Sequence, residues 1–273
     1  MMTDPAALYR LLAWSSPGYP TGAFSYSHGL EWAVEAGSVT NLETLLDYVE
    51  AVLSRGGAWV DAVLFAHTWR AAATATAAVR PTADAGPTAA PRSDAARPAL
   101  SGPPTDAVQS IAPAPQDAHS ALYALTELAA AFRGSSETAL ESRQQGAAFL
   151  DVTRKAWPHP ALDKLAEHAS RTNTPIAHCI AVAVACAAHG VALEPALHAY
   201  LHAVAANLVS AGARLVPLGQ TQAQIAIARL SPTITTLIER AQETSLDDLG
   251  TAAPAVELCS LRHETQYTRL FRS

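Results

Sequence analysis

The sequence predicts an all-α protein: a single helical-bundle domain of about ten helices, 1–273, carrying a low-complexity insert at 74–117. Three observations lead there. Apolar residues recur at helical spacing along most of the chain, and no stretch alternates with period 2 for long enough to make a strand. Hydrophobic residues make up 49% of the chain and charged ones 15%, with alanine supplying much of the excess, a composition suited to closely packed helices. Between those helical stretches, one segment turns abruptly to Ala, Pro, Thr, Ser and Asp.

The first helix is expected over 3–13. Thr21 can cap a second, running to Ala36 and stopped by Gly37. Asn41 is a good N-cap for a third, which ends near Gly56-Gly57, and a fourth covers 58–72. The insert then brings Arg80-Pro81, Gly86-Pro87, Pro91, Pro98, Pro103-Pro104, Pro113 and Pro115. Prolines at that density forbid any helix longer than a turn or two. Almost no large apolar side chain is present to offset the entropy of ordering, so the segment reads as disordered. It is read as a surface excursion within one domain, because the residues before it are too few for an independent core. Helices follow at 118–133, 136–156, 161–171, 175–189, 194–215, 219–230 and 232–243, the last two separated because Ser231-Pro232 resembles an N-cap with proline at the first helical position.

A wheel of 194–215 puts Leu197, Leu201, Val204, Leu208, Ala211 and Leu215 in one narrow stripe, a packing seam in the core or between subunits. Asn207, Ser210 and Arg214 flank it on one side, His198 and His202 on the other. A chain so poor in charge has little polar material to cover its surface, which favours oligomerisation or a permanent partner.

The bulk numbers exclude several classes. A net charge of −6 and a pI near 5.9 speak against nucleic-acid binding. Cys179, Cys186 and Cys259 form no CxxC motif, as expected of a reduced, cytoplasmic protein. Met-Met-Thr-Asp-Pro lacks the features of a secretory leader, and the apolar run Ile180 to Ala188 is far short of the roughly 20 residues of a bilayer span. No P-loop or Gly-rich strand–helix turn is present, so any nucleotide would be held by another chain.

His198/His202 and Cys259/His263 have the i, i+4 spacing with which two side chains share a metal ion, but neither pair has a visible third ligand. With 10 histidines in a helical chain such pairs arise by chance, and no metal site is assigned. Ser27, His28 and Glu31 resemble hydrolase residues by type alone. Neighbours on a helix point about 100° apart, which does not align a nucleophile, base and orienter. The segment reads either as a helix with a core face and a His28–Glu31 surface pair, or as a recognition surface made by Phe24, His28 and Glu31. The tail 262–273 interleaves Tyr267, Leu270 and Phe271 with Arg262, Arg269 and Arg272. Aromatic and arginine residues dominate interfaces, so this segment docks, on its own domain or on a partner.

Four segments in order resemble the UreF family of urease accessory proteins: Ser16-Pro-Gly-Tyr-Pro-Thr-Gly-Ala-Phe-Ser-Tyr-Ser-His-Gly-Leu-Glu31, Glu141-Ser-Arg-Gln-Gln-Gly146, Asn207-Leu-Val-Ser-Ala-Gly-Ala-Arg214-Leu-Val-Pro-Leu-Gly219-Gln220, and Arg269-Leu-Phe-Arg-Ser273. The resemblance implies a dimeric, all-α, non-catalytic protein without a cofactor. It would bind the accessory protein UreD (also called UreH) and the GTPase UreG, dock on apo-urease, regulate the GTPase and offer an internal passage for nickel. It further implies partner-facing roles for Phe24, Tyr26, His28, Gly29, Glu31 and Arg143, for Asn207, Ser210, Arg214, Gly219 and Gln220, and for Tyr267, Arg269, Leu270, Phe271, Arg272 and Ser273. On this view ordering against UreD accounts for the tail better than docking on its own domain does. The insert is foreign to the family pattern and has no assigned role.

Overall fold

The computed structural model describes residues 4–79 and 115–273, with the side chains of 78–79 and 115–117 left aside. Over 80–114, the expectation of a disordered insert lies outside the described residues. Its edges are narrower than expected, because helix runs on to Val79 and resumes at Pro115.

Among the described residues there are eleven α-helices and no strand: α1 (Pro5–Trp14), α2 (Leu30–Glu35), α3 (Leu42–Arg55), α4 (Gly57–Val79), α5 (Pro115–Ala131), α6 (Ser136–Ala156), α7 (Pro160–Thr172), α8 (His178–Ala188), α9 (Leu193–Leu215), α10 (Gln220–Glu243) and α11 (Pro254–His263). Local chemistry sets many of the ends. The Asn41 side chain accepts the Thr44 N–H while the Thr44 hydroxyl accepts the Asn41 N–H, and Ser135 and Thr138 repeat the reciprocal bond at the start of α6. Pro160 and Pro254 open α7 and α11, where a missing N–H costs nothing.

Helix α8 is the centre. It is apolar all round, and every residue from Cys179 to Ala187 is buried, as a fully enclosed helix requires. Its alanines let α4 and α6 approach closely, with α5, α7 and α9 completing the surround. The contact with α6 is tightest at Gly146, where a Cβ would fall 2.1 Å from the Ile176 carbonyl oxygen. Helix α9 turns its stripe inward: Leu197, Leu201, Leu208 and Ala211 are buried and Val204 and Leu215 half-buried, so the seam belongs to this chain's core.

Two expected elements are corrected and one is added. Residues 21–36 do not form one helix: a 3-10 turn at Ala23–Ser25 is followed by an extended stretch and only then by α2. Left-handed backbone at Gly22 (φ 76°), His28 (φ 53°) and Gly29 (φ 77°) interrupts any helix there. Residues 219–243 are one helix, with Pro232 inside it. Ser231 and Pro232 face solvent, while Leu230, Ile234, Leu237, Ile238 and Ala241 are buried on the other side, so packing holds both halves in line. Helix α11 was not expected at all. It lies against α2, α6 and α3, and Gly29 admits it: a Cβ there would sit 2.5 Å from the Ser260 nitrogen. No helix among the described residues is long and apolar enough to cross a membrane.

Candidate functional site

The four resembling segments are far apart in sequence, and the fold brings parts of all four to one end of the bundle. Their meeting place is the closing segment 264–273, which lies on its own chain. Its backbone is gripped by the loop before α2: the Arg272 N–H donates to the Ser25 carbonyl (2.8 Å), and the Ser27 N–H donates to the Ser273 carbonyl (2.8 Å), which also accepts from the Ser27 hydroxyl. Helix α9 supports that loop, since Asn207 Nδ2 donates to the Tyr26 carbonyl (3.3 Å) and Arg214 Nη2 to the Phe24 carbonyl (3.0 Å). The Arg214 guanidinium stacks 4.5 Å over the Phe271 ring, a cation–π contact. On α6, Gln144 Oε1 accepts from the Tyr26 hydroxyl and from Arg272 Nη1.

Beneath the segment is a buried cluster of acids and a histidine. Glu31 Oε1 accepts the Leu270 N–H (2.6 Å) and its Oε2 the Phe271 N–H (2.8 Å). The fully buried His263 ring lies between Glu31 Oε2 (3.1 Å from Nε2) and Glu137 Oε2 (2.7 Å from Nδ1). Arg269 Nη1 caps the other oxygen of Glu137 at 2.7 Å. One turn along α6, Glu141 accepts from Gln145 Nε2 (2.9 Å) and the Ser273 hydroxyl (2.9 Å) and faces His28 Nε2 at 3.4 Å. Burial pushes the Glu141 carboxyl above its ordinary range, and the His28 charge works against it.

Glu141 and His28 also border a cavity of about 370 Å³ between α4, α6, α9 and α11. On its far wall Asp61 accepts from Arg133 Nη1 (2.8 Å) and from the Tyr200 hydroxyl (2.8 Å). Burial pushes the neighbouring His178 imidazole down to about 4. The Ser142 hydroxyl, buried at the same wall, has no hydrogen-bond partner among the described residues. The cavity therefore sets a few polar and charged side chains into a largely apolar wall, and is roomy enough to take up water.

Several expected site residues take a different place from the one the sequence suggested. Glu31 is buried and pairs with His263, and His28 pairs with Glu141, so the two make no His28–Glu31 surface pair. The Ser27 hydroxyl donates to the Ser273 backbone carbonyl and meets Glu31 only by accepting its backbone N–H, which removes the hydrolase-like arrangement. Tyr26, Gly29, Phe271 and Ser273 are buried, and their work in this chain is to hold the segment down. In the chain by itself the closing segment lies on its own domain, the first of the two placements the sequence left open. Exposed at the same end are Phe24 (68%), Leu270 (66%) and Tyr267, together with Arg269 and Arg272; Arg143 is exposed on α6. Ser210 is exposed on α9, and Gly219 and Gln220, at the start of α10, form no hydrogen bond to this cluster.

As for metal, both ring nitrogens of His263 face carboxylates, so it cannot share an ion with Cys259 as placed. Among the described residues no group of three or more His, Cys, Asp or Glu is arranged to hold an ion, His198 and His202 included. Sequence reasoning missed Asp61, Arg133, Glu137, His178 and Tyr200. A usable signal existed for one: Asp61 is a lone acid in the apolar run Trp59-Val-Asp-Ala-Val-Leu-Phe65, where only a buried partner makes a charge tolerable.

The family model UreF matches residues 39–231. The chain is 44% identical to a urease accessory protein UreF of Rhodopseudomonas palustris (strain BisB5), covering 98% of this chain and 92% of that one. It is 43% identical to the UreF of Granulibacter bethesdensis, over 99% and 96% of the two chains. It is 40% identical to that of Bradyrhizobium diazoefficiens, over 99% and 93%.

Proposed function

The chain belongs to the UreF family of urease accessory proteins, and from that premise we propose that it is a non-enzymatic scaffold for nickel loading of apo-urease. It acts in the cytoplasm as a homodimer, binding UreD (UreH) and, with it, the GTPase UreG, whose hydrolysis it modulates. Nickel is the cargo of that assembly and no resident cofactor is required. The observation that carries the reading is that parts of the four family segments meet at the closing segment, where Phe24, Tyr267 and Leu270 are exposed together with Arg269 and Arg272. Isolated exposed apolar residues are ordinary, but a cluster rimmed by arginine has the composition of a protein interface. The cavity beside Glu141 is wide enough to hold water, which is compatible with passage of a hydrated ion at this end of the bundle.

The test is chromatography with light scattering of the purified chain, alone and then with UreD and UreG at micromolar concentration. A dimer alone, and capture of UreG only when UreD is present, is the expected pattern. Failure to bind UreD overturns the proposal. Nickel binding by the isolated chain at sub-micromolar concentration, lost with His198→Ala/His202→Ala, would replace it with a metallochaperone role.

A further inference from the structure

A second cavity, of about 240 Å³, opens between α4, α5 and α7, elements that carry none of the four family segments. Its floor is apolar: Ala72 and Ala75 from α4, Leu122 from α5 and Leu165 from α7 are all buried. Alanine at the two α4 positions leaves space that larger side chains would fill. An apolar cavity of about 150 Å³ already takes up benzene, so this one has room for a single ring with a substituent. One wall is an aromatic side chain held in place, since Tyr123 stacks on the buried His168 with centroids 3.7 Å apart and planes within 1° of parallel. His119, one turn earlier on α5, continues the stack at 6.3 Å. The site is preformed, as small-molecule sites usually are.

The rim is polar and of one sign. Lys164 on α7 is exposed, and no carboxylate lines the cavity among the described residues. Its neighbour Asp163 is taken by Arg154 at 2.8 Å. Burial, helped by the Lys164 charge, holds the His119 imidazole below its ordinary value; burial lowers His159 as well, with Asp163 working against it. Both rings are therefore neutral at neutral pH and add no charge. On His159, Nδ1 accepts the Ala161 N–H at 3.2 Å, so the ring proton is on Nε2, which donates to nothing among the described residues. A cation and a free N–H beside an apolar floor are complementary to an acid with an apolar body. We propose that this cavity binds a free small aromatic carboxylate, its ring on the alanine and leucine floor and its charge at the Lys164 and His159 rim. Apolar contact supplies most of the binding and the rim supplies the selectivity. The proposed partner surface is built from other elements, so the two readings stand or fall separately.

The experiment is a nuclear magnetic resonance titration of the full chain carrying isotope-labelled histidine. Benzoate is the probe, and benzyl alcohol is its uncharged analogue. The ring signals of His119 and His159 should move saturably with benzoate, while those of His178 and His263, which border other sites, stay. A Kd of about 1 mM or tighter is expected for a ligand of about nine heavy atoms. Benzyl alcohol should bind at least threefold more weakly, roughly the worth of an ion pair at a partly exposed rim. Lys164 is exposed, so its variants should fold as the native chain does. Lys164→Gln should bring benzoate down to the affinity of benzyl alcohol. Lys164→Glu should reverse the preference, taking benzylammonium over benzoate. No saturable movement of either ring at about tenfold the expected Kd overturns the proposal. Equal binding of benzoate and benzyl alcohol by the native chain overturns it too, as does an unchanged preference for benzoate in Lys164→Glu.

Discussion

Single side chains set the tolerances of this fold, and two of them make measurable claims. Gly146 belongs to a family segment, yet its reason here is steric: a methyl group would meet the Ile176 carbonyl at 2.1 Å, where backbone cannot yield as a flexible side chain does. Gly146→Ala should therefore cost about 1–3 kcal/mol, the usual range for overpacking, in denaturant unfolding. His178 is half-buried between Phe149 and Tyr200, and loss of hydration there holds its imidazole down at about 4. The unfolded chain takes up a proton there from about pH 6.5 downward, whereas the folded chain does so only near 4. Stability that is complete above the unfolded value is lost as pH falls through this window, by about 3 kcal/mol. His178→Phe should flatten that acid limb, seen as denaturation midpoints at pH 4 and pH 7 moving together. His28 sits at φ 53°, a backbone strain that other contacts must hold in place. They are the Tyr48 hydroxyl on its carbonyl and Glu141 on its ring.

At the scale of elements, the helices with a strong apolar period or a side-chain cap were legible in the sequence, and those made by tertiary contact were not. Asn41 and Ser135 announce α3 and α6, and the apolar run beginning at Ile180 announces the buried α8. The break at 26–29 was hidden because its cause lies elsewhere: the extended backbone there is paired to residues 272 and 273, and Gly29 turns left-handed to admit α11. Pro232 misled for the complementary reason, since a local helix breaker is overridden where the buried face is continuous. The Glu31–His263–Glu137 cluster joins three elements, α2, α11 and α6, and no local pattern could show it. The closing segment is the element with most at stake. Phe271 is its buried anchor, under Arg214, so Phe271→Ala should release it, with increased exchange at Leu270 and little change in global melting. A fall in melting temperature shared by α4 and α8 would show instead that the segment is part of the core.

At the scale of the whole molecule, a fully enclosed α8 wrapped by other helices gives a rigid body, and one end of it carries the exposed Phe24, Tyr267 and Leu270. The sequence indicated through its family segments that these regions matter, but not that Tyr26, Glu31 and Ser273 act from inside while Phe24 and Leu270 look out. Burial separates the two roles: the first group shapes the surface and the second makes it. The most direct measurement is the affinity of the purified chain for UreD, by titration calorimetry, for the native protein and for Phe24→Ala/Leu270→Ala. Both residues are largely exposed, so the double variant should melt as the native chain does. The scaffold account predicts that it binds UreD at least tenfold more weakly, roughly the loss of one modest interface anchor. Native affinity in a correctly folded double variant would contradict it.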